Sequence, residues 1–501
     1  MLDKKHLNIL LFSGVLLFLL MAYLSIHGPR GSDQFWYIQE TETLLKIGKP
    51  ISSNYYAGLY WRNGFNELNN YFIHHGLVHY VVLPLASIFG AYAGWIATSV
   101  LSVLLGTCLL IIAVYNATNS YKLAIFTGII FLFLPITIWQ SFNILQESII
   151  AAYMCLGVWI WERSINEVQN KFIYNVLGGF FGAVGVFIHP IFSIWCLGWM
   201  IQLFIFKEKI YSWRLWAPLF LTTCLLVFAQ IYKNIFFPSN FFPTIGSIIS
   251  NNSMTYYYDY SVPNVTIVMI MGKILSALKS QFEINNISII FFYPFNLLLV
   301  LFLVSIGYRY KKDKSMALRS FILPIFLLVG FMIMIFLHQN QFRYSIIITP
   351  IILVSTVILF NKLIENKFRG ISAFCFILAL LSIFIITDIY LSSHIAKDAR
   401  AHEEIIEKRK QGMPVSSDGQ RVLIVFEKSD LSLLWSLYPR PILFLPVSNL
   451  QAPESVGAIH AFKPKYVIMQ KTIKENVEES LPLQLKSVPF ETEKLFKVIN
   501  N

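Results

Sequence analysis

A chain of 501 residues that is 56% hydrophobic, 16% aromatic and only 13% charged carries too few polar groups for a water-soluble globular protein. Its formal net charge of +12 invites a nucleic-acid reading, yet the basic residues gather in connectors between apolar runs, where lysine and arginine mark the cytoplasmic side of a multi-pass membrane protein. The five cysteines, Cys108, Cys155, Cys196, Cys224 and Cys375, sit inside apolar runs with no CxxC pair and no histidine at ligand spacing, which argues against disulfides and a zinc site.

Residues 7–26 are nearly uncharged over about twenty positions, enough for a helix to cross roughly 30 Å of hydrocarbon. The "IHGPRG" that follows offers no small-residue cleavage site, so an anchor is expected rather than a signal peptide, with Lys4 and Lys5 holding the N-terminus in the cytoplasm. Further apolar runs at 91–114, 122–139, 147–161, 173–188, 191–206, 215–232, 287–308, 317–337, 345–361 and 371–392 bring the expected spans to eleven. Connectors with Arg163 and Lys171, with Lys207, Lys209 and Arg214, and the stretches "YRYKKDKSMALR" and "NKLIENKFR" then fall inside. Two more apolar stretches, 77–90 and 263–282, break the alternation and read as interfacial helices on the extracytoplasmic face.

An odd number of spans starting inside puts the C-terminus outside. Residues 395–501 change to soluble composition, and "RVLIVF", "PILFLP" and "KYVIMQ" read as short buried strands alternating with the helix-compatible "SDLSLLWSLY" and "APESVGAIHAF". That order predicts a small parallel α/β sheet. The expected organisation is a helical membrane domain over 1–394, containing a first extracytoplasmic loop with juxtamembrane helices at 27–90, and a soluble α/β domain over 395–501.

Three places on the outer face bear groups suited to chemistry. The loop over 27–76 is long for a connector and includes Asp33 in "GSDQFWYIQETETLLKIG"; a helix cap and a catalytic acid fit this residue equally well. Glu147 opens the fourth span after "LPITIWQSFNILQ", as either a dipole-favoured terminal charge or a functional carboxylate at a membrane boundary. In "FLHQNQFRYSIIITP", Arg343 and Tyr344 precede the tenth span near His338, as interfacial anchors or as a planar fork of donors for a lipid phosphate. His189, beside Pro190, reads first as structural.

In sequence order, "GSDQFWYIQETETLLKIG", "FIHHGLVHYVVLPLASIFG", "LPITIWQSFNILQESIIAAYM", "GGFFGAVGVFIHP" and "FRYSIIITP" resemble the GT-C class of polyprenyl-phosphate-dependent glycosyltransferases over roughly the first 390 residues. The resemblance is to the bacterial branch with lipid A aminoarabinose transferases and protein O-mannosyltransferase-like enzymes. It implies a multi-pass protein of the inner or plasma membrane that takes a sugar from a polyprenyl-phosphate donor to an envelope glycan, lipid or protein, with inversion and without nucleic acid. By position it makes Asp33 the acid that activates the acceptor hydroxyl, Glu147 the second acidic position and Arg343 the group near the lipid phosphate. Tyr344 and His338 stand beside Arg343, and His75 takes a basic position in the first loop. The resemblance leaves open a divalent metal held by Asp33 and Glu147. Gln34 stands where many relatives carry a second acid, "HHGLVHY" lacks their proline, and "YYYDY" at 256–260 does not replace the "WWDYG" signature of oligosaccharyltransferases. Competing readings are an O-antigen-type polymerase or ligase, and a transporter or flippase of lipid-linked sugars; the latter expects repeated, interrupted halves that this sequence lacks.

Overall fold

The computed structural model describes, with short breaks, residues 4–25, 32–65, 76–225, 297–331, 345–367 and 401–500. It is mostly helical with one small sheet, and its contacts group into two compact units. One unit holds Met1–Ile26, Trp95–Pro238 and Ala277–Ala396; the other holds His27–Gly94, Ser239–Ser276 and Lys397–Asn501.

The first unit is built from apolar helices. In α1 (Lys4–Ser25) the apolar residues surround the whole helix, and Ile9, Phe12, Leu20 and Tyr23 stay exposed, as befits a helix solvated by lipid. Alongside the long α5 (Ala91–Thr118), this is one of two described helices long and apolar enough to cross a membrane. The stretch expected as a single third span is broken: α6 (Tyr121–Leu132) and α7 (Pro135–Ser141) meet at 59°. Pro135 explains the break, because it has no N–H for the preceding turn and its fixed φ suits the first position of a new helix. If that bent pair is one span, the described residues supply up to three. The expected spans at 147–161, 173–188, 191–206 and 345–361 form α8 (Glu147–Asn166), α9 (Lys171–Gly185), α10 (Ile191–Ile205) and α11 (Ser345–Lys367). Shorter apolar helices occupy Leu297–Gly307 and Phe321–Phe331 within two other runs. The run at 371–392 and the stretch at 263–282 lie outside the described residues.

Glycine sets how closely α8, α9 and α10 approach. A Cβ on Gly178 would come within 2.0 Å of the Trp199 ring, one on Gly182 within 2.5 Å of Cys196 Sγ, and one on Gly157 within 2.5 Å of the Phe181 ring. The aromatic rings that fill these notches are also tied by their polar ends. Trp195 Nε1 donates to Gly178 O at 3.1 Å, Trp199 Nε1 to Asn175 O at 3.0 Å, and Tyr153 Oη to Phe181 O at 2.8 Å. The glycines of "GGFFGAVG" therefore act as packing surface.

The second unit differs from the expected organisation in one respect that matters for function. Its sheet has six strands in the order β1-β3-β2-β4-β6-β5, and β1 (Asn54–Tyr56) comes from the first loop. β2 (Val422–Phe426), β3 (Ile442–Pro446) and β4 (Tyr466–Met469) are the three expected strands and are parallel. β1 adds in parallel to β3, with Tyr55 opposite Leu443, while β5 (Gln484–Val488) and β6 (Lys494–Asn500) run antiparallel at the other edge. The sheet is thus mixed rather than purely parallel, and residues 27–94 group with the C-terminal portion instead of with 1–26.

Strand alternation gives the sheet two apolar faces. Leu423, Val425, Leu443, Leu445, Val467 and Met469 bury one face, together with Tyr55 and Tyr60 of the loop helix α3 (Ala57–Arg62) and with Ile459 and Phe462 of α12 (Pro453–Phe462). "APESVGAIHAF" is this last helix, whereas "SDLSLLWSLY" falls mainly outside the described residues. On the opposite face Phe444 meets Trp36 of α2 (Ser32–Ile47), with ring centroids 5.9 Å apart. The stretch at 77–90 forms α4 (Gly76–Phe89), which packs on α2.

Candidate functional site

Asp33 is the second residue of α2. Ser32 and Asp33 are residue types that favour a helix start, and the helix ends where Gly48 adopts φ +73° and its N–H returns to Leu44 O at 2.9 Å. Between these ends, residues 34–41 are all buried, an unusual density for a sequence reading "QFWYIQET". The polar members need partners. Glu40, 1% exposed, places Oε2 2.6 Å from Nε2 of His79 on α4, itself 0% exposed. Thr41 Oγ1 lies 3.0 Å from the other ring nitrogen, Nδ1. If the Nε2 proton faces the carboxylate, Nδ1 is left to accept from the threonine hydroxyl, so one imidazole joins two consecutive side chains of α2. The Tyr37 ring, one turn earlier, lies 5.8 Å from the same imidazole.

The sequence reading passed over His79. Nothing in "GSDQFWYIQETETLLKIG" sets Glu40 apart from the acids around it, and in "HHGLVHY" the resemblance points to His75. The signal that finds His79 is its position three residues into an apolar helix, where a histidine needs a buried partner.

Glu147 belongs to the first unit, as the first residue of α8, and is fully buried. The stretch around it is buried over residues 135–150 except for the half-buried Trp139, and three of its polar side chains bond to nearby backbone carbonyls. Ser141 Oγ donates to Thr137 O at 2.5 Å, Asn143 Nδ2 to Trp139 O at 2.6 Å, and Ser148 Oγ to Gln140 O at 3.2 Å. The helix N-terminus favours the negative charge electrostatically, while burial opposes it. His189 is structural in the same sense as a cap: its Nδ1 accepts from Ile191 N–H at 3.3 Å at the start of α10. Asp33 and Glu147 thus fall in different units. His75, His338, Arg343 and Tyr344 lie outside the described residues. Among the described residues, no group of three or more histidine, cysteine or acidic side chains is assembled for a metal.

Comparison with known proteins places the fold. No protein-family model matches the chain, and no curated protein does. Among solved structures, ArnT from Cupriavidus metallidurans in the apo state matches with TM-score 0.59 at 13% identity, covering 97% of this chain and 97% of that one. The chain has the ArnT fold. ArnT bound to undecaprenyl phosphate matches with TM-score 0.58 at 11% identity, over 99% of this chain and 98% of that chain. A looser match, TM-score 0.46 at 14% identity over 92% of this chain and 69% of that chain, is the Archaeoglobus fulgidus oligosaccharyltransferase AglB with an inhibitory peptide and a dolichol-phosphate. The ArnT fold runs through both units, so the resemblance to the GT-C class seen in the first 390 residues extends at fold level into the C-terminal sheet.

Proposed function

We propose that the chain is a membrane glycosyltransferase that moves a sugar from a polyprenyl-phosphate donor to an envelope glycan, lipid or protein on the extracytoplasmic face. The observation that carries this reading is the end-to-end ArnT fold combined with an acid in the first turn of the first-loop helix. That one ArnT structure holds undecaprenyl phosphate supports a lipid-phosphate donor.

In this reading Asp33 takes the proton of the acceptor hydroxyl. The oxygen then forms a bond to the anomeric carbon as the bond to the phosphate oxygen breaks, and the polyprenyl phosphate leaves with the electron pair. Attack opposite the leaving group inverts the anomeric centre. A phosphate departs readily, so one base together with cationic stabilisation of the leaving group suffices. Arg343 supplies that charge, with Tyr344 and His338 beside it; His75 and Glu147 bind or orient substrate. The N-terminus is cytoplasmic and the C-terminal sheet extracytoplasmic.

Turnover by the purified protein with a polyprenyl-phosphate sugar tests the reading, with mass spectrometry of envelope glycans and lipids from a deletion strain identifying donor and acceptor. Asp33→Asn is expected to lower kcat by about 10²-fold or more, the usual loss when a general base is removed, at unchanged expression. Full turnover in that variant removes Asp33 from the mechanism.

A further inference from the structure

The Glu40–His79–Thr41 cluster has a cost that packing alone does not explain. A carboxylate and an imidazole with 1% and 0% of their surfaces exposed have given up nearly all of their hydration. Apolar residues of the same volume would stabilise such a contact equally well or better, so buried polar pairs earn their place where one packing register must be chosen over its neighbours. Here the geometry chooses a register. Glu40 and Thr41 are consecutive on α2, and the imidazole of α4 meets one with Nε2 at 2.6 Å and the other with Nδ1 at 3.0 Å. A slide of α2 by one residue, or a rotation of a few tens of degrees, would break both contacts at once.

The cluster is also placed to act on the start of α2. Tyr37 and Glu40 follow Asp33 by four and seven residues, the spacing of a single stripe along a helix, and both lie against His79. Trp36, on a neighbouring stripe, rests on Phe444 of the sheet. The helix is held from two sides, by an apolar contact that tolerates sliding and by a polar one that does not.

We propose that His79, engaged by Glu40 and Thr41, is a positioning residue that fixes the register of α2 on α4 and with it the location of the turn bearing Asp33. The proposal rests on the reading of Asp33 as the base, and its test separates the two. Hydrogen–deuterium exchange of the full-length protein in detergent reads the register without turnover. His79→Ala is expected to speed exchange across Ser32–Ile47 while leaving Glu147–Asn166 unchanged, and Thr41→Val, which removes one hydroxyl at nearly constant shape, to do so more weakly. Exchange in α2 identical to that of the unmodified protein in both variants overturns the proposal, whatever the activity.

Steady-state kinetics is the second arm. Misplacing a reacting group by about 1 Å costs on the order of 10²-fold in rate, so His79→Ala should lower kcat by roughly that factor with the KM for donor little changed. His79→Gln, which retains a donor toward Glu40, should recover part of the loss. Should the unmodified protein turn over its donor while His79→Ala reduces only the yield of folded protein, with kcat per folded molecule intact, the residue is merely structural. Absence of turnover in the unmodified protein would count against the glycosyltransferase reading and leave the exchange result to decide this one.

Discussion

Two buried acids, Glu40 and Glu147, meet the same electrostatic problem in different ways. Glu40 has His79 at 2.6 Å; Glu147 sits at the first position of α8, where the helix N-terminus favours an anion by about 0.5 to 1 kcal/mol. That contribution is smaller than the several kcal/mol that burial of a carboxylate costs. In the proposed mechanism Glu147 binds or orients substrate, a role that can be separated from any part it has in the fold. Glu147→Gln, which keeps the shape and drops the charge, is expected to leave the melting temperature in detergent unchanged or higher while reducing turnover at least tenfold. Normal turnover with a lowered melting temperature would assign Glu147 to the fold instead. At this scale the sequence marks a charge that interrupts an apolar context, as at Asp33 and Glu147, which fall at the second position of α2 and the first of α8. His79 shows in the sequence only as a histidine within an apolar helix, and no spacing links it to its carboxylate partner, which lies on another helix.

Elements were legible in proportion to how much of their signal is local. α1 and α5 follow from long uncharged runs, and β2, β3 and β4 from short apolar runs between turn residues. The break between α6 and α7 was concealed by continuous apolarity, with Pro135 as its single visible cause. β1 was invisible because a three-residue strand, "NYY", has no periodicity to read and borrows its stability from β3. The glycines of α9 carry the clearest prediction at this level. Since a Cβ on Gly178 meets a buried tryptophan ring at 2.0 Å, backed by an Nε1 hydrogen bond to Asn175 O, neither the ring nor the helix can yield cheaply. Gly178→Leu should destabilise the first unit by about 3 kcal/mol or more, seen as loss of monodisperse protein on size exclusion and a fall in melting temperature. Gly307, with nothing among the described residues within 4 Å of an added Cβ, is the control: Gly307→Ala should be tolerated.

The strand exchange between the first loop and the C-terminal sheet gives residues 395–501 a physical role. The sheet takes β1 as its edge strand, accepts Tyr55 and Tyr60 into the core of one face and presents Phe444 to Trp36 on the other. Without the sheet, α2 keeps α4 as a neighbour but loses the apolar surface under Trp36, and β1 loses its only paired strand among the described residues. The C-terminal portion is in this view a clamp on the first loop, and a change in it should be felt at α2. Phe444→Ala opens a cavity beneath a buried tryptophan, a change that typically costs 3 to 5 kcal/mol, roughly, when an aromatic ring is deleted from a core. The expected result is faster tryptic cleavage at Lys46, Lys49 and Arg62, with turnover reduced in parallel. Val488→Ala, a milder truncation at a half-buried site on the far edge strand β5, leaves the contact to α2 untouched and should leave both readouts close to their original values. If Phe444→Ala loosens β2 to β4 but leaves cleavage in the first loop unaltered, the sheet stabilises only itself and the clamp is disproved. The comparison works because both substitutions lie in one sheet but only one lies under α2, so a general loss of stability and a specific release of the first loop produce different cleavage patterns.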